Sequence, residues 1–288
     1  MKRLLAFIII ALGGLASGCS TNESNFILWQ LPSEGNSYIF QTKDGKVAVI
    51  DGGLKREADY VRGFLGALGN EIEAWFISHP HNDHMGVLNE ILKEPGDIRI
   101  KTVYHSEFSE AFYEKYEADY KEETREFYDN LRKSGVNVVD VAQPGQTILI
   151  DRTAFKILSI KDESLVKEAP YNNSSMVIRV WDDKKSMVFL GDMEVKGGER
   201  LLSGPYRDDL NCDFLQLAHH GHDGVALDFY KQVKFNACLW ASPLWMYNND
   251  IGEGYNTYNL NTIQMRNLMD SLGITRHYIS GHGLSKIE

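Results

Sequence analysis

From Phe26 onward the chain alternates short apolar runs with polar turns, and the apolar period switches between two and about 3.6. FILWQL, SYIFQ and KVAVID are rich in β-branched and aromatic residues and are separated by the turn signals SEGN and KDG. Three successive strands are predicted. Over 55–69 the pattern is helical, with Ala58, Val61, Phe64, Leu65 and Leu68 on one face and Gly69 as a stop. IEAWFIS predicts a strand, 87–93 a short helix, IRIKTVYH another strand and 109–134 one long helix. VNVVDV, TILI and AFKILSI form a second β-rich group, followed by a hairpin of MVIRVWD and SMVFLGD turned at DDKK. A helix over 194–202, the strand DFLQLAHH, a helix over 225–233, the strand ACLWAS, a helix over 261–272 and the strand TRHYISG complete the order. There is no internal linker and no short-period repeat. Two blocks of strands, each continuing as alternating helix and strand, predict an α/β fold of two mixed sheets with helices outside, as one layered domain over 26–288.

The long predicted helix carries Tyr113, Tyr116, Tyr120, Thr124, Phe127 and Leu131 on one stripe, with Glu, Lys, Asp and Arg on its other faces. Such a stripe packs against the body of a protein; a substrate lid or a partner surface is the competing reading.

Residues 1–19 stand apart. They have a basic start at Lys2 and Arg3, an apolar stretch over 4–12, and small residues leading to Cys19. The stretch is shorter than the roughly 20 residues of a membrane-spanning helix, which favours an export signal. ASGC resembles a bacterial lipobox, although Ala16 stands where that motif prefers leucine. The resemblance implies a lipidated Cys19, a short tether over 20–25, and membrane contact at the bacterial cell envelope. An ordinary signal peptide ending near a cysteine is the alternative. Cys212 and Cys238 lie in strand-like apolar runs and are expected to be core thiols, since one pair sets up no disulfide framework.

Composition narrows the classes further. With 43% hydrophobic and 24% charged residues, the chain can bury a full core and is not of the disordered type. A net charge of −10 argues against strong non-specific nucleic-acid binding, which depends on Lys and Arg neutralising phosphates. A small or short substrate is expected instead.

The chemistry concentrates in WFISHPHNDHMG, where His79, His81, Asp83 and His84 occupy four of six positions directly after an apolar run. Burying such groups unpartnered costs several kcal/mol each, on the order of 2–7. A divalent cation neutralises them, and mixed imidazole and carboxylate ligands suit zinc or a neighbouring transition ion. On extended backbone His79 and His81 share one side and can meet one ion. Asp83 and His84, past the bend, reach a second.

This H-x-H-x-D-H pattern resembles the signature of the metallo-β-lactamase superfamily. YIFQTKDGKVAVIDGG resembles that family's first hairpin with Asp51, SMVFLGD the strand ending in its bridging aspartate (here Asp192), and FLQLAHHG the strand bearing its last metal histidine. The resemblance runs from about Phe26 to the end and implies a four-layer αββα sandwich. N-N-x-S before the GD strand and H-H-G after it resemble the hydrolase domain of ComEC-type competence proteins and their stand-alone lipoprotein relatives. Classical β-lactamases, glyoxalase II enzymes and tRNA-processing nucleases of the family carry a histidine before GD, and no histidine lies between His105 and His219.

The resemblance therefore implies two divalent ions, zinc or manganese, with one site of His79, His81 and Asp192 completed by Asn172, Asn173 or water. The other has Asp83, His84, Asp192 and one histidine of the HHG pair. Family position favours His219 as the ligand, leaving His220 to support a ligand from behind or to touch substrate, although the pair is ambiguous by sequence. The first site is the poorer, so its ion is expected to bind weakly. The implied activity is hydrolysis by a bridging hydroxide, with Asp83 or Asp192 orienting it and His220 donating to the leaving oxygen of an ester-type bond, a phosphodiester above all. A lactam or thioester hydrolase, disfavoured by the missing histidine, and a non-catalytic binding lipoprotein are the alternatives. His222 and His105 are further candidates for the rim; His277 and His282 read as ordinary strand and turn residues. The family's N-x-Y-G-H-P segment is absent from SPLWMYNNDIGEGYN, so no substrate residue carries over from it.

Overall fold

The computed structural model describes residues 23–288, so the expected export signal, Cys19 and the start of the tether lie outside the described residues. In chain order the first half holds β1 (Phe26–Gln30), β2 (Ser37–Thr42), β3 (Val47–Asp51), α1 (Ala58–Ala67), β4 (Glu71–Phe76), α2 (Asn82–Lys93), β5 (Arg99–Ile100), β6 (Thr102–His105), α3 (Glu110–Tyr116), α4 (Lys121–Lys133) and β7 (Asn137–Asp140). The second half holds β8 (Thr147–Ile150), β9 (Thr153–Ile157), α5 (Pro170–Asn173), β10 (Ile178–Trp181), β11 (Ser186–Phe189), α6 (Val195–Ser203), β12 (Phe214–Gln216), α7 (Leu227–Gln232), β13 (Ala237–Trp240), α8 (Leu244–Tyr247), α9 (Thr262–Ser271), β14 (His277–Ile279) and β15 (Ser285–Ile287).

One sheet runs β15-β1-β2-β3-β4-β6-β7 with β5 beside β4; the other runs β14-β13-β12-β11-β10-β9-β8. Both are mixed. β1, β2 and β3 pair antiparallel and β3, β4, β6 and β7 parallel, while β8 to β11 form an antiparallel meander that continues in parallel through β12, β13 and β14. Alternation along each strand builds three apolar layers. Phe40 of β2, Phe76 of β4, Phe155 of β9 and Phe189 of β11 fill the space between the sheets. Their neighbours Ile39, Val49 and Trp75 face outward against Val61 of α1, Leu88 of α2 and Phe127 of α4. On the far side Val188, Leu215 and Trp240 pack under Leu201, Phe229 and Met269 of α6, α7 and α9. Two sheets face to face with helices outside both give the αββα sandwich.

Four expectations need correcting. VNVVDV does not join the second β-rich group: β7 pairs with β6 in the first sheet, Val138 opposite Val103. IRIKTVYH is broken into two short strands. The long helix is two helices, α3 and α4, separated at 117–120; at the break Glu117 turns inward and its carboxylate accepts the Tyr171 N–H at 2.7 Å. Finally, α2 begins at Asn82, inside the histidine motif, so Asp83 and His84 sit in a first helical turn. Cys212 and Cys238 are buried free thiols; burial pushes the Cys212 thiol up to about 12, as suits packing residues.

Candidate metal centre

The carboxyl ends of β3, β4, β11, β12 and β13 open onto one edge of the sandwich, the usual place for a site in sheets of this kind. From β3 comes Asp51, with φ of 58°. Its carboxylate accepts Ser78 N–H at 2.7 Å and Ser78 Oγ–H at 2.9 Å, and lies 2.9 Å from His84 Nδ1. From β4 the extended turn brings His79 Nε2 and His81 Nδ1 to 2.9 Å of each other, while the first turn of α2 carries Asp83 and His84 across to the other side. β11 delivers Asp192, whose N–H donates to Ser175 Oγ at 3.2 Å.

After β12, His219, His220 and Gly221 all take positive φ, at 48°, 55° and 78°. Two non-glycine residues in this region cost about 1–2 kcal/mol each, strain of the kind that collects at functional sites. Gly221 is required at its position, because a Cβ there would lie 2.5 Å from the Trp240 ring. The turn drives His220 inward and His219 outward.

Two ligand groups result. Asp83, His84, Asp192 and His220 offer donor atoms that all lie within 4.8 Å of one another, and so do His79, His81 and Asp192. In the first group His220 Nε2 is 2.9 Å from Asp83 Oδ2 and 3.4 Å from Asp192 Oδ2, and His84 Nε2 is 3.2 Å from Asp192 Oδ2. The rings are held from behind: His84 Nδ1 faces Asp51, and His220 Nδ1 faces the Ala241 carbonyl at 2.8 Å. Such backing is how metal-bound histidines are oriented. His84 Nε2 is fully buried yet has no hydrogen-bond partner, although it points at carboxylates. A divalent cation fits this donor set, since it satisfies that nitrogen and both carboxylates together.

Burial and neighbouring charge pull on the groups of this site in opposite directions. Burial opposes charge on His220, but Asp192 and Asp83 outweigh it and raise the ring to about 10. Burial likewise opposes charge on His84, and Asp192, Asp83 and Asp51 raise it well above the usual histidine range. The carboxyl of Asp192 is pushed up by burial but held well below the ordinary range by His84, His220 and His219. His79 goes the other way, pushed down by burial and by the neighbouring His84 and His81.

The structure places the sequence candidates unequally. His79, His81, Asp83, His84, Asp192 and His220 converge. His220 joins a candidate ligand group, while the left-handed turn sends His219 Nδ1 to Glu194 at 2.7 Å and leaves its Nε2 3.8 Å from Asp192. Both His220 nitrogens face acceptors, Nε2 the Asp83 carboxylate and Nδ1 the Ala241 carbonyl. Asn173 is also taken: its side chain donates to the Glu168 carbonyl and accepts the Gly197 N–H, tying α5 to α6. Asn172 Oδ1 is buried without a partner. His222 pairs with Asp223 at 2.9 Å outside both ligand groups, and His105 is buried between Phe127 and Tyr128, away from the centre.

Sequence reasoning missed Glu117, which lies 3.9 Å from His81 Nε2, and Glu194. It placed Tyr120 on a packing stripe, whereas its ring lies 4.3 Å from that of His81. Glu194, two residues after Asp192, was within reach of a motif reading; Glu117 carries no local signal.

Comparison with known proteins agrees with this geometry. Solved structures that match include the metallo-beta-lactamase fold protein YhfI from Bacillus subtilis, with TM-score 0.53 at 13% identity over 91% of this chain and 99% of that one. CmlA, a diiron beta-hydroxylase from Streptomyces venezuelae, matches with TM-score 0.56 at 12% identity over 92% of this chain and 54% of the hydroxylase. At these identities the likeness is one of fold. No curated protein sequence matches the chain significantly. The model of the metallo-beta-lactamase superfamily matches residues 31–234, and with its signature histidines and aspartates converging at one sheet edge, the chain belongs to that superfamily.

Proposed function

We propose that the protein is a metal-dependent hydrolase of an ester-type bond, with a small or short phosphodiester as its substrate class. The observation that carries the reading is Asp192, a buried carboxylate common to both ligand groups, which suits a pair of neighbouring cations. Asp83, His84, Asp192 and His220 would hold one ion, and His79, His81 and Asp192 the other. A divalent ion bound there supplies a water of lowered pKa and polarises the scissile group.

The chain's own residues supply orientation and proton handling. Asp51 and the Ala241 carbonyl fix the rings of His84 and His220. In this reading His219, whose Nδ1 lies 2.7 Å from Glu194 and whose Nε2 lies 3.8 Å from Asp192, would hand a proton to the leaving oxygen. The overall negative charge is compatible with an anionic substrate because cations reverse the local field, and it disfavours long polyanions. The phosphodiester assignment draws on the resemblance of N-N-x-S and H-H-G to the ComEC-type branch. A diiron protein shares the fold, so iron is tested beside zinc and manganese. We further propose anchoring at the bacterial envelope through a lipidated Cys19, to be checked by palmitate labelling of wild type and Cys19→Ser.

The test is turnover of bis(p-nitrophenyl) phosphate by purified protein with elemental analysis, before and after chelation. His81→Ala and Asp192→Ala should abolish it. Turnover that survives chelation and both substitutions defeats the proposal, and rapid cleavage of a chromogenic lactam instead would transfer the site to lactam chemistry.

A further inference from the structure

The segment between α3 and α4 reaches over the poorer ligand group. Glu117 there is a buried carboxylate with two oxygens in different roles. One accepts the Tyr171 N–H at 2.7 Å; the other, Oε2, lies 3.9 Å from His81 Nε2. That nitrogen is buried and has no hydrogen-bond partner, while Nδ1 of the same ring faces His79 Nε2 at 2.9 Å. The ring thus has one nitrogen turned toward the ligand group and the other turned toward Glu117. Tyr120, three residues on, lies against the same ring at 4.3 Å, and Tyr171 OH donates to Thr124 Oγ1 at 3.0 Å, fastening α5 to α4.

We infer that Glu117 is a positioning residue for His81: its carboxylate takes the Nε2–H and so dedicates the Nδ1 lone pair to a cation. The inference rests on the metal-dependent reading above and adds a residue to it. A separation of 3.9 Å exceeds a hydrogen bond; a small rotation of the ring or one bridging water would close it. A buried donor left unpaired is costly, and Glu117 Oε2 is the acceptor the fold brings to it. The group with His79, His81 and Asp192 has the fewest ligands, so its affinity depends most on such support. Carboxylates behind metal-bound histidines change metal affinity by about 10–100-fold when altered.

The experiment is a titration of metal-free full-length protein with Zn(II) against a chromophoric chelator, paired with the visible spectrum of the Co(II)-loaded form. Glu117→Gln is the main variant, because its amide oxygen still accepts the Tyr171 N–H while its NH2 opposes the His81 donor. One of the two ions should bind about 10–100-fold more weakly, with an altered Co(II) spectrum, and the other should be unaffected. Thr124→Val loosens the same insert without touching the carboxylate and should leave isotherm and spectrum as in wild type. Wild-type affinities and spectrum in Glu117→Gln overturn the inference, as does an equal loss in Thr124→Val, which would make the effect one of packing. Wild-type protein that binds only one ion, or none, overturns it as well; with none, the metal-dependent reading falls too. Intact two-ion uptake by wild type with an unchanged Glu117→Gln removes the inference alone.

Discussion

A cation entering the site must displace protons, and this sets a measurable pH dependence. In the metal-free protein Asp192 and Asp83 raise the His220 ring to about 10 against the cost of burial, so it is protonated at pH 7. His84 is raised in the same way by Asp192, Asp83 and Asp51 once burial is overcome, whereas Asp83 and Asp192 are already ionised and contribute no protons. The sign follows: groups with raised pKa are protonated without the ion, and binding requires them neutral. Affinity of the Asp83–His84–Asp192–His220 group for Zn(II) should therefore rise with pH by about tenfold per unit for one displaced proton, or about 100-fold for two, over roughly pH 6 to 9. Isothermal titration in buffers of different ionisation enthalpy counts the protons, and about two per ion are expected near pH 7. A count near zero together with a flat pH profile would refute the account of a site charged with protons.

Other consequences concern the support of the site and the frame around it. Asp51→Asn keeps an acceptor for Ser78 but removes the charge behind His84; metal affinity should drop about 10–100-fold in a competition titration. Gly221→Ala places a methyl 2.5 Å from the Trp240 ring at a φ of 78°, and urea unfolding should show a loss of about 2–4 kcal/mol. Burial lowers His105 to about 4, so this histidine is neutral in the fold and charged in the unfolded chain at mildly acidic pH. Its contribution is present above about 6.5 and is lost as pH falls to about 4, amounting to about 3 kcal/mol. The urea midpoint of wild type should fall more steeply over that window than that of His105→Leu; parallel curves would show that His105 does not govern the acid limb.

Much of the sandwich is legible along the chain because each strand is read from a period of two and each helix from a period near 3.6. FILWQL, KVAVID and the MVIRVWD–SMVFLGD hairpin lie where local pattern puts them. Pattern fails where partners decide. VNVVDV has strand chemistry but no mark of which sheet it joins, and β15 (SKI) is a strand only because β1 offers it an edge. The aromatic stripe from Tyr113 to Leu131 reads as one helix, and the break falls at Glu117, whose carboxylate accepts a backbone N–H more than fifty residues away.

The same division holds at the metal centre. His79, His81, Asp83 and His84 are adjacent in sequence, and their density alone marks them, because four ligand-type side chains after a buried strand need a common neutraliser. Asp192 stands at the end of an apolar run in a familiar motif. Which of His219 and His220 turns toward the candidate ligand group, by contrast, follows from a left-handed turn backed by Gly221 and Trp240, and the side chain of Asn173 is drawn into bonds with Glu168 and Gly197. Residue types and short spacings are written locally and survive in a linear reading. Which nitrogen faces inward, and which distant carboxylate stands behind it, depends on contacts that exist only once the two sheets have closed on each other.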